Sequence, residues 1–173
     1  MVDLITQPTN PNFLADHNFR FSMKRAPNLS YFAQKASIPG INLNAIQQAS
    51  PFGQIWRNGT GMTFEEFSLT FKVDEDFGNY LELFNWMVGL GFPNDFSDYA
   101  ALAAKKPMSG EGLYSDASLM ILSSSKNPNI EVQFIQLFPI ALTALDMDVG
   151  SDATYIDATA TFKYQRFYIN RLT

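Results

Sequence analysis

The chain has 173 residues, with 12 Lys and Arg against 17 Asp and Glu, a formal charge of −5 and a sequence pI near 4.7. That length suits one domain able to bury about 70% of its unfolded surface, and the acidic balance opposes a phosphate-binding module, which needs clustered cations. The single His (His17) and the absence of Cys close the usual routes to disulfides, thiolate metal sites and imidazole acid–base chemistry, so composition disfavours an enzyme and asks for no cofactor.

No run approaches the roughly 20 apolar residues of a membrane-spanning helix, and the opening MVDLITQPTNPN lacks the charged and apolar regions of an export leader. With neither repeats nor a linker, residues 1–173 read as one domain, with 1–12 as a polar, Pro-broken extended arm. The 16 Phe against 17% charged residues signal an unusually aromatic core.

From Phe19 the alternation Phe19, Phe21, Met23 has the period of a half-buried strand, ended by a turn at Ala26-Pro27-Asn28. Tyr31 to Ala36 reads as a second strand, and Ser37 to Ile41, with Pro39 and Gly40, as a break. Asn42 to Gly61 shows little period of either kind and is expected to be a long inter-strand loop. Its Phe52, Ile55 and Trp56 are unusual for a loop left in solvent and mark it as built for contact.

Phe64 to Val73 is the clearest strand, with Phe67, Leu69, Phe71 and Val73 on one face. The acids Asp74, Glu75 and Asp76 stand where a helix should begin, and capping accounts for them better than a metal site. The spacing of Phe77, Tyr80, Leu81, Phe84, Met87 and Val88 predicts one amphipathic helix over 77–90, with Phe84 buried beneath it. Phe92 to Gly112 reads as irregular, with a short helical turn over Asp98–Lys106.

Ala117–Ser123 and Ile130–Phe138 then form a hairpin, Ala141–Asp148 a further strand, and Ala153–Tyr168 a long last strand. The acids Asp146, Asp148, Asp152 and Asp157 lack the ordered pattern of a calcium loop and fit solvated turns. The predicted fold is mainly β, an antiparallel sandwich or barrel with one flanking helix.

Five segments in order carry a resemblance: FRFSMKRAPNLSYFAQKASIPGI (19–41), FSLTFKVDEDFGNYLELFNWMVGL (67–90), SLMILSS (118–124), IEVQFIQLFPIAL (130–142) and YIDATATFKYQRFYI (155–169). Together they resemble the tail tube proteins of contractile-tailed bacteriophages, the T-even-like myoviruses and their relatives. The resemblance implies a structural virion protein, made in the bacterial host cytoplasm, whose subunits close into hexameric rings. The rings stack into a tail tube, surrounded by sheath and seated on baseplate hub proteins, through which genomic DNA is ejected without specific binding. A tube initiator, an adaptor or a tail terminator would share the fold as a single ring.

On this reading Phe52, Ile55 and Trp56 are candidates for subunit or ring contact, and Glu66 and Asp157 for the lumen, where acids would let a polyanion slide. A monomeric β-barrel with a small apolar ligand inside is the alternative of another class, and carboxylate chemistry at Asp146 and Asp148 a third.

Overall fold

The computed structural model describes residues 12–91, 95–105, 112–150 and 155–172. In chain order the elements are β1 (Phe19–Met23), α1 (Pro27–Phe32), β2 (Ala33–Ala36), β3 (Ile41–Ser50), β4 (Gly53–Phe64), β5 (Phe67–Lys72), α2 (Gly78–Gly91), α3 (Phe96–Ala103), β6 (Ser115–Leu122), β7 (Pro128–Leu142), β8 (Asp157–Lys163) and β9 (Arg166–Arg171). All strand pairs are antiparallel.

Two facing sheets share β7. In one, β1, β6, the first part of β7 and β9 run side by side; in the other, the last part of β7 pairs β8, which pairs β5, which pairs β2. The changeover lies at Gln136, whose φ of 53° is unusual for a residue with a Cβ and whose N–H donates to Asp116 Oδ1 at 3.0 Å. Pro139 follows at a register shift, a place where a missing amide donor costs little.

The alternation read in the sequence becomes the core. Phe67, Leu69 and Phe71 of β5 and Ala158, Ala160 and Phe162 of β8 point inward against Phe21, Leu119, Val132 and Phe134. Phe67 sits at the centre, its ring centroid 4.5 Å from Phe134, 5.7 Å from Phe21 and 6.0 Å from Phe162. The sheets do not close into a barrel, and side chains occupy the space a small apolar ligand would need.

The predominantly β architecture stands, and several local expectations change. Pro27 opens helix α1 instead of a turn, a position where its lost N–H was an orphan anyway, and β2 starts only at Ala33. The strands expected at Ile130–Phe138 and Ala141–Asp148 are one bent strand that ends at Leu142. The expected last strand is two, β8 and β9, because the chain passes from one sheet to the other at Tyr164-Gln165. Two short helices, α1 and α3, accompany the long α2. The arm, except Asn12, and residues 92–94 and 106–111 of the irregular stretch lie outside the described residues.

Helix α2 turns a different face inward from the one expected. Asn79, Leu83, Trp86 and Gly89 are buried, whereas Phe84 is 49% exposed and Leu81 46%. Polar anchors decide between two adjacent apolar stripes. Asn79 accepts from the N–H of Asp74 at 3.3 Å and donates to the Lys72 carbonyl at 2.7 Å. The Trp86 indole donates to the Leu113 carbonyl at 3.1 Å, with the Arg25 guanidinium 4.9 Å from its ring centroid. The acids Asp74 to Asp76 lie in the turn before α2, outside its first turn. Trp86→Ala should therefore destabilise the fold by about 3–5 kcal/mol, and Phe84→Ala by only about 1 kcal/mol, measured by urea unfolding.

Candidate assembly interface

The segment expected as a loop is a long two-stranded hairpin, β3 with β4, that forms its own sheet. Ser50 pairs Gly53 across a two-residue connection, where Pro51 pre-sets its own φ and Gly53, at φ 144°, supplies a conformation other residues avoid. A register shift around Asn44 kinks the ribbon. Gly59 faces it so closely that a Cβ there would stand 2.6 Å from the Asn44 carbonyl oxygen. At 3.2–3.4 Å per residue the ribbon is about 33 Å long.

Almost every hairpin side chain is exposed. Partners across the ribbon share a face, so Trp56 lies with Gln47 on one side, while Ile55 with Gln48 and Arg57 with Ile46 lie on the other. Phe52 occupies the tip at 101% exposure, and Trp56 is 65% exposed. The three contact residues singled out from sequence thus belong to one element but point three ways. A ribbon with apolar groups on both faces and at its end exposes apolar surface in more than one direction.

Its base is clasped to the sandwich. The Glu65 N–H donates to the Gly40 carbonyl at 3.1 Å, Asn42 Nδ2 donates to Glu65 Oε1 at 3.1 Å, and the Tyr164 hydroxyl donates to the Glu65 carbonyl at 2.7 Å. The Phe64 ring packs edge-on against Phe167 at 5.5 Å. Burial, and then the negative charge of Glu65, push the Tyr164 hydroxyl up to about 12. Sequence inspection did not find this clasp, because Tyr164 and Glu65 are far apart in the chain and neither sits in a motif.

Glu66 and Asp157 lie on the sheet that contains β5 and β8, at opposite ends of that strand pair. Glu66 bridges Lys163 at 3.4 Å, and Asp157 is the register partner of Lys72. Between them the outward face carries Ser68, Thr70, Thr159 and Thr161, with the Thr70 and Thr159 hydroxyls 3.0 Å apart. Asp148 accepts from the Gly150 N–H at 2.8 Å in a turn, and exposed His17 lies 3.3 Å from Asp16. Among the described residues no three His, Asp or Glu groups converge on a metal position.

The sandwich also has an open side, which the sequence did not mark. Edge strands β1 and β2 border adjoining clefts of about 410 and 610 Å3, both lined by Phe19 and Ala33.

The sequence model of the family described as "Phage tail tube protein" matches residues 4–170. The chain belongs to this family. No curated protein matches it significantly in sequence. Its fold is similar to a chain of the anti-feeding prophage baseplate, with TM-score 0.63 and 16% identity over 93% of this chain and 97% of that one. A chain of the anti-feeding prophage tube-terminating cap gives TM-score 0.62 and 14% identity over 99% of both chains. One from the sheath–tube complex of an extracellular contractile injection system in its extended state gives 0.60 and 12% over 94% of both.

In this tail tube protein the hairpin is thus an appendage held at its base, where the Tyr164 hydroxyl is one of several groups that bond Glu65 and its neighbours. Since the folded state holds the Tyr164 proton more tightly than the unfolded chain, the clasp contributes fully below about pH 10 and is lost as pH rises toward about 12. Thermal unfolding of Tyr164→Phe should show a loss of about 1 kcal/mol below pH 10, and the gap to the parent protein should close between about pH 10 and 12.

Proposed function

We propose that the chain is the repeating subunit of a contractile tail tube, closing into hexameric rings that stack into a conduit for DNA ejection. Family membership supports the tube. The observation that carries self-assembly is the hairpin, which exposes Phe52, Ile55 and Trp56 without covering them with its own body. The edges β1 and β2 support lateral closure, because an edge strand offers backbone donors and acceptors to a second copy. Sixfold closure draws on the likeness to a chain from a baseplate that is itself 6-fold symmetrised.

On this proposal the sheet face with Ser68, Thr70, Thr159 and Thr161 lines the bore, with Glu66 and Asp157 at its two ends. Small hydroxyls, a Lys163 already paired with Glu66 and the acid Asp157 offer a passing polyanion no cluster of free cations to bind, so there is little counterion release to make it stick. The tail sheath and baseplate hub are the external partners, and the particle is a virion tail assembled in the host cytoplasm.

A single-ring role as tube initiator, adaptor or terminator is the second reading, favoured by the likeness to cap and baseplate chains. Microscopy of the purified protein separates the two, since a tube subunit gives stacked rings of indefinite length and an end piece gives isolated rings. Trp56→Ala should keep the melting temperature of the monomer while shifting the sedimentation profile toward single rings and free subunits. A parent protein that stays monomeric at high concentration in every salt, even with its baseplate partners, would overturn the proposal.

A further inference from the structure

A second surface of the same chain has the shape and charge to receive the hairpin tip. Beyond the C-terminal end of β5, Phe32, Val73, Phe77, Tyr155 and Ile156 line an apolar pocket of about 440 Å3. Phe77 is held there with φ 58°, a conformation that a bulky aromatic residue rarely adopts, fixed by its N–H donating to the Asp74 carbonyl at 2.9 Å. Backbone strain of that kind costs on the order of 1–3 kcal/mol and tends to persist where a side chain must be aimed.

Three features connect pocket and tip. Phe52 is fully exposed, so the pocket of its own chain is not its seat. The hairpin enters β5 from the N-terminal end and the pocket lies at the other, which makes the two surfaces a head-to-tail pair. Charge completes the match. Arg57 is the hairpin's only charged residue, so all 17 acids of the chain lie elsewhere, and Asp74, Glu75, Asp76 and Asp157 stand at or beside the pocket. The one cation lining the pocket, Lys72, has its ammonium 4.1 Å from the Tyr155 ring centroid and pairs in register with Asp157.

We propose that Phe52 of one copy inserts into the Phe32–Val73–Phe77–Tyr155–Ile156 pocket of the next, with Arg57 brought against that pocket's acidic rim. The occupant is a second copy of this chain, in the same orientation relative to each successive neighbour. This rests on the self-assembling reading above and adds the acceptor that the hairpin requires.

The chain has no Cys, so engineered cysteines report the contact directly. Chains carrying Gln54→Cys, which keeps Phe52 at the tip, are mixed with chains of different mass carrying Tyr155→Cys and oxidised with glutathione disulfide. Both sites are exposed, which protects folding. The expected result is a heterodimer band that is many-fold weaker when Tyr155→Cys is replaced by Ser125→Cys, on the exposed β6–β7 turn, and several-fold weaker when Arg57→Glu is added to the donor chain.

In parallel, Phe52→Ala should reduce assembly while leaving the monomer folded. Equal yields from the Ser125→Cys and Tyr155→Cys acceptor chains, or no crosslink while the parent protein forms rings or tubes and Phe52→Ala assembles as it does, would overturn this inference alone. A parent protein that never self-associates would overturn both it and the reading on which it rests.

Discussion

The bend in β7 is the constraint on which the rest of the molecule depends. One continuous strand belongs to both sheets, so the two layers cannot slide independently, and the Phe67–Phe134 contact spans them close to the changeover at Gln136. The left-handed residue has a local cost, offset by the Asp116 carboxylate that accepts its N–H and by the dense ring cluster beside it. Sharing a strand joins the two sheets on one side, where β9 is the outer strand of the first sheet. The far side has the edges β1 and β2 with no shared strand between them, and their unpaired backbone groups are open to pairing.

What the sequence disclosed follows from where each element sits relative to the core. The strands β1, β5, β6 and β8 each have one buried face, and their alternation of large apolar with small or charged residues was legible. The hairpin was not, for a physical reason. Apart from Phe64 at its base, neither of its faces meets the core, so no selection imposes a period of two on it, and the shift at Asn44 moves the phase of the few apolar residues it has. What remained readable was composition, since Trp56, Ile55 and Phe52 in polar surroundings signalled contact without disclosing conformation. The local signal that would have helped is Ser50-Pro51-Phe52-Gly53, a tight turn with flanks of similar length.

Helix α2 shows the opposite limit. Its sequence has apolar residues on adjoining stripes, and periodicity selects a helix without selecting which stripe faces inward. Asn79 and Trp86 settle it because each carries a polar atom that needs a buried partner, which the backbone at Lys72 and Leu113 supplies. A polar residue on the inner face was thus a better guide than another phenylalanine. The clasp at Tyr164 and the pocket around Phe77 were invisible for a related reason, since both join segments that only the completed sheets bring together.

On the proposed head-to-tail contact, the partition of charge would give assembly its direction. Copies with a formal charge of −5 repel one another at long range, and at roughly 0.15 M salt that repulsion fades within a Debye length of about 8 Å. Arg57, opposite Ile46 and five residues up from Ile41, stands about 16 Å along a ribbon of about 33 Å, beyond that distance from its base, so the tip can approach a neighbour before the two bodies do. On that proposal, apolar contact at the tip acts at short range and Arg57 favours an acidic rim, which would set one orientation for knob and socket. Because the two surfaces differ, each bound copy would still offer a free tip and a free pocket, and growth would proceed until geometry returned it to the start or carried it onward as a stack.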